Sequence, residues 1–363
     1  MNFVFRTDAS ISIGTGHVMR CLTLAQELRR QGHQCRFICR DHSGHLGDLI
    51  VDKGFYIDLL SAPADEVENP AHASKKTFHA AWLGVGWQLD AEQTLEAIDS
   101  VEVDWLVVDH YSLDSRWELK VRGAGCRVMV VDDLADRPHH ADLLLDQNIL
   151  GPESESPYKS LVNAECVLLL GPRYAMLGHE YSLLSRALPY RDNKVLRVLI
   201  FVGGSDPHHL TESYLQAVAT PEFQHLQVNV VLGKNHPAPE AVEEIARSRK
   251  GTALFSGLPS LAAQMIRCDL MLGGGGATNW ERMCLGLTTI VVSVAHNQYE
   301  TCQQLAKHGL INFVGVAEEI SIEDIQRTLR GILGDSPRRV KQMEMMRNVV
   351  DGYGTERIVK RLI

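Results

Sequence analysis

The chain has 363 residues, of which 45% are hydrophobic and 22% charged, a composition typical of a globular protein with two ordinary domains. Its 36 basic and 45 acidic residues give a formal net charge of −9, which argues against a general affinity for nucleic acid because a phosphate backbone needs a broad cationic surface. The sequence has no run of the ~18 apolar residues that span a membrane, no signal-peptide pattern and no C-x-x-C pair, so we expect a cytoplasmic protein.

The first half of the chain alternates short apolar strands with helices. A strand over 2–6 is followed by a glycine-containing turn over 7–16 and by helical spacing from Val18. Further strands are predicted at 36–39, 105–109, 127–132 and 167–170. This order predicts a parallel sheet with helices on both faces.

The same pattern restarts in the second half with a strand over 195–202. Later strands are predicted at 228–232, 270–272 and 289–294. We therefore predict an α/β fold with two Rossmann-like, doubly wound parallel-sheet domains at 1–173 and 194–350, a linker over 174–193 and a C-terminal segment over 351–363. Ligands of such sheets bind at the carboxyl ends of the strands, so functional residues are expected in the loops that follow strands.

The first candidate group is Gly14, Gly16 and His17, between the first strand and its helix. Glycines there let the backbone approach a ligand, but Met19 breaks the dinucleotide fingerprint and argues against NAD binding. In the first helical turn His17 meets the positive end of the helix dipole, worth ~0.3–1 kcal/mol, which favours the neutral imidazole that a general base requires. A capping or structural histidine fits the sequence equally well.

The second candidate is a run of four glycines ending at Gly276, followed by Ala277 and Thr278 at the start of a helix. Free amides after a strand suit a diphosphate. Glu281, one turn inside the helix, would accept hydrogen bonds from a ribose diol, because a carboxylate is an acceptor only. The alternative is a flexible turn beside a solvated glutamate.

Polar side chains also follow several other predicted strands: Asp109-His110-Tyr111, Asp132-Asp133 and Asn297-Gln298. Each is expected to point into a cleft between the carboxyl ends of the strands of the two sheets. The alternative is a helix cap or turn residue, and that alternative is favoured for the two adjacent aspartates. Neither those aspartates nor the pairs His139-His140 and His208-His209 have metal-ligand spacing, so no metal is predicted.

Two further loops in the second half could line the cleft. Gly203 and Gly204 follow a strand, and Leu258 lies in a turn over 256–259. Both loops could supply backbone contacts to a base or to phosphates, although turn geometry explains them about as well.

Eight segments then form a recognisable series along nearly the whole chain: Arg6–Ser10, Ile13–Cys21, Val108–Tyr111, Asp132–Leu134, Leu170–Ala175, Gly203–Asp206, Trp280–Arg282 and His296–Gln298. Together they resemble the UDP-2,4-diacetamido-2,4,6-trideoxy-β-L-altropyranose hydrolases of pseudaminic acid biosynthesis. The resemblance implies a GT-B architecture, in which the two domains face a cleft, the second binds the nucleotide and the C-terminal segment often returns to the first.

The resemblance also implies that His17 activates water, with Tyr111 and Asn297 beside the sugar. The expected substrate-binding residues are Asp8, Gly14, Gly16, Asp109, Gly203, Gly204, Leu258, Gly276, Ala277, Thr278, Glu281 and Gln298. Water would attack C1 with inversion and release UDP, without a cofactor or metal. A glycosyltransferase of the same fold and a non-catalytic sugar-nucleotide sensor stay open as alternatives. The expected partner is a small UDP-sugar, with no nucleic acid and no membrane insertion, and any oligomeric partner is left open.

Overall fold

A computed structural model of the chain describes residues 1–61, 79–148, 156–188, 191 and 194–363. The chain divides into two compact units. The first comprises Met1–Met176 together with Gly354–Ile363, and the second comprises Leu177–Tyr353.

Each unit contains one sheet. The strands of the first unit are β1 (Asn2–Thr7), β2 (Gln34–Arg40), β3 (Tyr56–Leu60), β4 (Trp105–Asp109), β5 (Arg127–Val131), β6 (Leu143–Asp146) and β7 (Val167–Leu170). Those of the second are β8 (Arg197–Phe201), β9 (Gln227–Leu232), β10 (Thr252–Ser256), β11 (Leu270–Gly274), β12 (Thr289–Ser293) and β13 (Asn312–Val316).

Helices connect most of these strands. In the first unit they are α1 (Gly16–Arg30), α2 (Gly47–Asp52), α3 (Trp87–Ile98) and α4 (Ser115–Val121). In the second they are α5 (His179–Ala187), α6 (Leu210–Val218), α7 (Pro239–Ser248), α8 (Ala262–Arg267), α9 (Thr278–Cys284), α10 (His296–Lys307), α11 (Ile322–Gly334) and α12 (Ser336–Val349). The last helix, α13 (Gly354–Leu362), belongs to the first unit, and short 3-10 turns cover Ala80–Leu83, Arg122–Ala124, Pro157–Ser160, Pro172–Tyr174 and Pro221–Phe223. Within the described ranges, no helix combines the length and apolar character needed to cross a bilayer.

Both sheets are parallel and doubly wound, which confirms the predicted fold class. Over the described residues the first sheet has seven strands in the order β3-β2-β1-β4-β5-β6-β7, and the second has six in the order β10-β9-β8-β11-β12-β13. Strand order reverses between β1 and β4 and again between β8 and β11. The loops after these central strands therefore lie at topological switch points, where open α/β sheets bind ligands.

The central strands read as continuous apolar runs because both of their faces are covered. All five residues of β4, from Trp105 to Asp109, are buried. Along β1, Phe3 and Phe5 pack into one hydrophobic cluster, whereas Val4 packs into another on the opposite face. This alternation is the period-2 pattern of a strand buried between two helical layers.

The predicted connecting segment over 174–193 contains α5, and its residues 189, 190, 192 and 193 lie outside the described part of the chain. The segment predicted over 351–363 contains α13. Within the first unit, Trp105 Nε1 donates to the carbonyl of Leu362 at 2.9 Å, so the end of the chain is tied to the central strand β4.

A buried charge network joins β1, β2 and α3 in the first unit. Asp90 accepts from Arg6 Nη2 at 2.7 Å, Arg40 Nη2 at 2.6 Å and Trp117 Nε1 at 3.0 Å. Burial alone would raise the pKa of Asp90, but the neighbouring Arg6, with help from Arg40, outweighs burial and lowers it. Asp8 is the second carboxylate of the network and contacts Arg6 at 2.7 Å.

We expect Asp90→Asn to lower the free energy of unfolding by about 3–5 kcal/mol, because it leaves buried arginine charge uncompensated. Denaturant unfolding at neutral pH measures this loss. The lowered pKa means that the contribution of Asp90 is fully present above the ordinary carboxyl pKa and disappears as the pH falls through the folded value. Asp52→Asn, at an exposed position of α2, is the control and should stay within about 0.5 kcal/mol of the parent; similar effects of the two changes would contradict the prediction.

Candidate active site

The switch point of the first sheet brings His17 and Asp109 together. Strands β1 and β4 pair in parallel with Thr7 opposite Asp109, so both strands end at the same level. The loop after β1 leads into α1, whose second residue is His17. The register of two adjacent strands thus places a histidine beside a carboxylate that lies 92 residues further along the chain.

The His17 ring is oriented by Asp109. Nδ1 lies 2.6 Å from Asp109 Oδ1, and the carboxylate is fully buried. Burial by itself would raise the pKa of Asp109, but the charge of Arg20 and the hydrogen bonds from Arg20 and His17 outweigh it and lower that pKa strongly. Because an ionised carboxylate only accepts, Nδ1 must carry the proton. The neutral ring then has its lone pair on Nε2, to which no described residue makes a hydrogen bond.

Arg20 connects His17 to a second carboxylate. Its guanidinium donates twice to Asp109, from Nε at 2.6 Å and from Nη2 at 2.7 Å, and a third time to Asp133 from Nη1 at 2.5 Å. Asp133 Oδ2 also accepts from the Tyr111 hydroxyl at 2.7 Å. Burial and the adjacent Asp133 raise the pKa of Tyr111 well above its usual range, so the phenol stays protonated.

Aromatic rings form one side of this cluster. Tyr111 stands edge-on to His17 with ring centroids 4.5 Å apart, and Trp82 stacks beside Tyr111 at 5.8 Å. His79 packs against Trp82 at 4.3 Å. Trp82 is only half-buried, so an apolar surface lies next to His17.

Asp8 and the glycines of the first loop have different environments. Asp8 is fully buried, where it accepts from Arg6 and from the Arg40 amide at 2.7 Å. In this arrangement the carboxylate supports the loop, and its contact with a ligand stays a prediction. Gly14 has a φ of +80°, which favours glycine, and the space beside the Cα of Gly14 and of Gly16 is open. The backbone of this loop is therefore accessible to a ligand.

In the second unit, the first two glycines of the run, Gly273 and Gly274, pack closely against the end of β8 and the residue that follows it. A Cβ at Gly274 would lie 2.4 Å from the carbonyl oxygen of Val202, so only glycine allows this approach. Further along, Gln298 lies against the loop, with Oε1 3.1 Å from a Cβ built at Gly275 and Nε2 3.6 Å from one built at Gly276. The run leads into α9, which begins at Thr278 directly after Ala277, and the half-buried Asn297 lies beside Gln298 in α10.

Glu281, in α9, is partly buried, and its desolvation raises the pKa to about 7. Tyr181 and Glu180 are its neighbours, and Glu180 adds to the increase. Tyr181 also lies close to Ser260, two residues after Leu258 in the segment that follows β10. Glu281, the start of α5 and the turn after β10 thus meet within the second unit.

The loop of Gly203 and Gly204 packs against the loop after β9. A Cβ at Gly233 would meet the two carbonyl oxygens of these glycines at 2.2 and 2.4 Å, so the loops touch backbone to backbone. Asp206 then caps α6 by accepting from the amides of Leu210 at 3.0 Å and Thr211 at 2.7 Å.

One cluster among the described residues has ligand types that suit a metal ion: Asp206, Glu212 and His236, with one ligand atom of each within 4.8 Å of the others. The Ala238 amide donates to His236 Nδ1 at 3.2 Å. The neutral ring therefore carries its proton on Nε2, which faces the carboxylates at 3.6 and 3.8 Å. To bind an ion through Nε2, the neutral ring would have to move its proton to Nδ1, and the hydrogen bond from the Ala238 amide to Nδ1 would then be lost.

The structure therefore brings together His17, Asp109 and Tyr111 in the first unit, and Gly276 and Gln298 in the second. Sequence reasoning missed three residues of the first cluster: Arg20, Asp133 as the partner of Tyr111, and Trp82. Arg20 lies three residues after His17, on the same helix face, and that spacing was a usable signal.

No protein-family model matches the chain. It is 24% identical over 314 residues to the UDP-2,4-diacetamido-2,4,6-trideoxy-beta-L-altropyranose hydrolase of Campylobacter jejuni, an alignment that covers 85% of this chain and 97% of the relative. The predicted resemblance is thereby confirmed.

Solved structures show the same architecture. MurG from Acinetobacter baumannii superposes with a TM-score of 0.66 at 16% identity, covering 99% of both chains. The calicheamicin glycosyltransferase CalG4 superposes with a TM-score of 0.65 at 14% identity, covering 99% of this chain and 97% of the other. The chain has the GT-B fold. At these identities the likeness establishes the GT-B fold alone, so chemistry must be argued from the residues.

We expect Asp109→Asn to move the proton of the neutral His17 ring from Nδ1 to Nε2, because the asparagine amide can donate to Nδ1. Nitrogen-15 chemical shifts of the ring, assigned with a His17→Gln sample, report the tautomer. Glu118→Gln is the control. Glu118 Oε1 lies 2.7 Å from Nδ1 of another buried histidine, His139, so this change should leave the His17 signals unchanged. A parent ring already protonated at Nε2 would contradict the assignment.

Proposed function

We propose that the chain hydrolyses UDP-2,4-diacetamido-2,4,6-trideoxy-β-L-altropyranose to the free sugar and UDP, a step of pseudaminic acid biosynthesis. Water attacks C1 as His17 Nε2 takes its proton, and the bond between C1 and the diphosphate oxygen breaks with inversion. The 2.6 Å hydrogen bond between His17 and Asp109 carries the proposal, since it prepares a neutral ring to act as a base. The similarity to the Campylobacter hydrolase supplies the reaction and substrate class.

The first cluster suits proton abstraction by its geometry. Asp109 fixes the ring through one nitrogen and leaves the other to water, which is the arrangement used by histidine bases in general. When His17 gains the proton, the adjacent ionised carboxylate stabilises the imidazolium. Arg20 holds Asp109 by two hydrogen bonds, so the ring's orientation depends on an already rigid partner.

The aromatic side of the cluster supports the proposed sugar class. A 6-deoxy sugar with two acetamido groups presents several methyl groups, which gain from contact with rings rather than with charged side chains. Trp82 and Tyr111 provide such a surface next to His17. Asn297 would hydrogen-bond the sugar from the second unit.

The second unit is proposed to hold UDP. Amides of the loop around Gly276 would bind the pyrophosphate, and Glu281 would accept from the ribose hydroxyls. Gln298, which lies against this loop, would complete the contact with the phosphates. Charge that develops on the departing diphosphate would be stabilised by the same amides, without a divalent metal.

A glycosyltransferase that uses a UDP-amino sugar is the second candidate, and the GT-B fold shared with CalG4 favours it. In that reaction an acceptor hydroxyl replaces water at C1. The two candidates differ in one observable: a hydrolase releases UDP in the absence of any acceptor, whereas a transferase depends on one.

We expect the full chain to release UDP from the diacetamido sugar nucleotide in ¹⁸O-labelled water, with the label in the sugar product. Label in UDP would mean attack at phosphorus, and turnover that required an acceptor would favour the transferase. His17→Asn should lower the rate by about 10²–10⁴ while substrate binding is retained. His33→Asn, at the far end of α1 from His17, is the control and should keep the parent rate. Binding without UDP release by the parent would indicate a sensor.

We expect binding of a UDP-sugar, whose pyrophosphate has no proton to lose near neutral pH, to weaken about tenfold between about pH 8 and about pH 6. Burial raises the pKa of Glu281 to about 7, and ribose hydroxyls bind the ionised carboxylate. Affinity is therefore full above that pKa and falls as the carboxylate gains a proton. Calorimetric titration at several pH values measures this slope, and Glu281→Gln should bind weakly with little pH dependence. An unchanged slope in Glu281→Gln would assign the effect to another group.

A further inference from the structure

Arg282 is a fully buried cation beneath the glycine loop of the second unit. It lies in α9 with no exposed surface, and its Nη1 donates to the carbonyl of Gly274 at 3.1 Å. Its remaining donors, Nε and Nη2, have no hydrogen-bond partner among the residues that the structure describes. A buried donor without a partner destabilises a protein, and a buried charge does so more strongly.

Other buried arginines of the chain are compensated. Arg6, Arg40 and Arg137 are each paired with an aspartate at 2.6–2.8 Å. Arg249 has no carboxylate partner among the described residues, but three main-chain carbonyls accept from its Nε and Nη2 at 2.9–3.0 Å. Arg282 has neither kind of compensation in the described part of the chain.

The surroundings of Arg282 leave it charged. Burial lowers its pKa to about 10, which still lies well above neutral pH. Tyr214 is a neighbour, but its hydroxyl donates to the carbonyl of Gly273 at 3.0 Å and brings no negative charge. Glu281 is the adjacent carboxyl, and burial keeps part of it protonated near neutral pH. Positive charge therefore persists within the unit.

The guanidinium lies directly against the main chain that becomes the loop. A Cβ at Gly273 would be 3.3 Å from Nη1, and the next residue, Gly274, accepts its hydrogen bond. Gly275 and Gly276 follow at once, so the proposed pyrophosphate contacts begin within two residues of the carbonyl to which the cation donates. In a medium of low dielectric constant such a charge acts over this distance with little screening.

We propose that Arg282 acts through the glycine loop as an electrostatic anchor for a nucleoside diphosphate, whose negative charge supplies the compensation that the protein lacks. The proposal rests on the proposed function for its ligand. Arg282 touches neither the ligand nor the reacting atoms, so it is a positioning residue. The contribution of Arg282 to binding affinity should depend on the phosphates and be absent for the nucleoside alone.

The test compares the full-length parent chain with Arg282→Met, using the ratio of UDP affinity to uridine affinity from calorimetric titration at low ionic strength. We expect the ratio to fall about tenfold or more in Arg282→Met, because one unit charge near the phosphates is lost. Arg249→Met is the matched control: it removes a buried arginine of the same unit from the opposite end of the sheet, and should reduce the melting temperature without changing the ratio.

An unchanged ratio in Arg282→Met, or an equal loss for uridine and UDP, would overturn the proposal, since either result describes a residue that only supports the loop. If Arg282→Met does not fold, Arg282→Gln, which keeps a donor for the Gly274 carbonyl, replaces it.

A second experiment, with inorganic pyrophosphate as the ligand, tests this proposal separately from the proposed function. A parent chain that binds neither UDP nor the UDP-sugar defeats the function. A pyrophosphate-induced rise in melting temperature that is lost in the Arg282 variant would still support the anchor, and an equal rise in both would overturn it.

Discussion

The hydrogen bond between His17 and Asp109 depends on the register of two parallel strands. Thr7 and Asp109 lie opposite each other where β1 and β4 end. From there the chain continues to β2 on one side of this pair and to β5 on the other. A shift of one residue in that pairing would turn the Asp109 side chain to the other face of the sheet. The covered faces of β1 and β4, with residues such as Phe5, make that shift costly, so hydrophobic packing fixes the geometry of the pair formed by His17 and Asp109.

The same reasoning explains which parts of the fold the sequence could predict. Strands β4 and β7 have the predicted bounds. The central strand β4 is buried throughout and reads as an unbroken apolar run, and the edge strand β7, although only partly buried, also consists of apolar residues alone. The strands β3, β10 and β13 were not predicted. They form sheet edges with mixed burial, and polar residues or a glycine interrupt or flank their apolar runs, as Asp58 does in β3 and Gly315 in β13. The interior strand β6 was also not predicted, although it has the same length as β7 and three of its four residues are leucines.

The candidate site was predictable where local sequence carries the chemistry. His17 stood out because glycines and a helix start surround it. Asp133 did not, because its partner Arg20 lies 113 residues earlier, and adjacent aspartates after a strand read first as turn residues. Trp82 belongs to no motif, and only the folded chain places its ring beside Tyr111. Side chains recruited by tertiary contact leave no pattern in a single sequence.

The two units treat buried positive charge in opposite ways, and the difference matches the chemistry proposed for each. In the first unit, Arg20 faces the carboxylates of Asp109 and Asp133, so the charges around His17 sum to a negative value. That balance favours a protonated His17 ring over a neutral one and repels a pyrophosphate. In the second unit, Arg282 has no such partner among the described residues, so its field favours an anion. The field around His17 therefore suits a group that gains positive charge, whereas the field around Arg282 suits an anion such as a diphosphate.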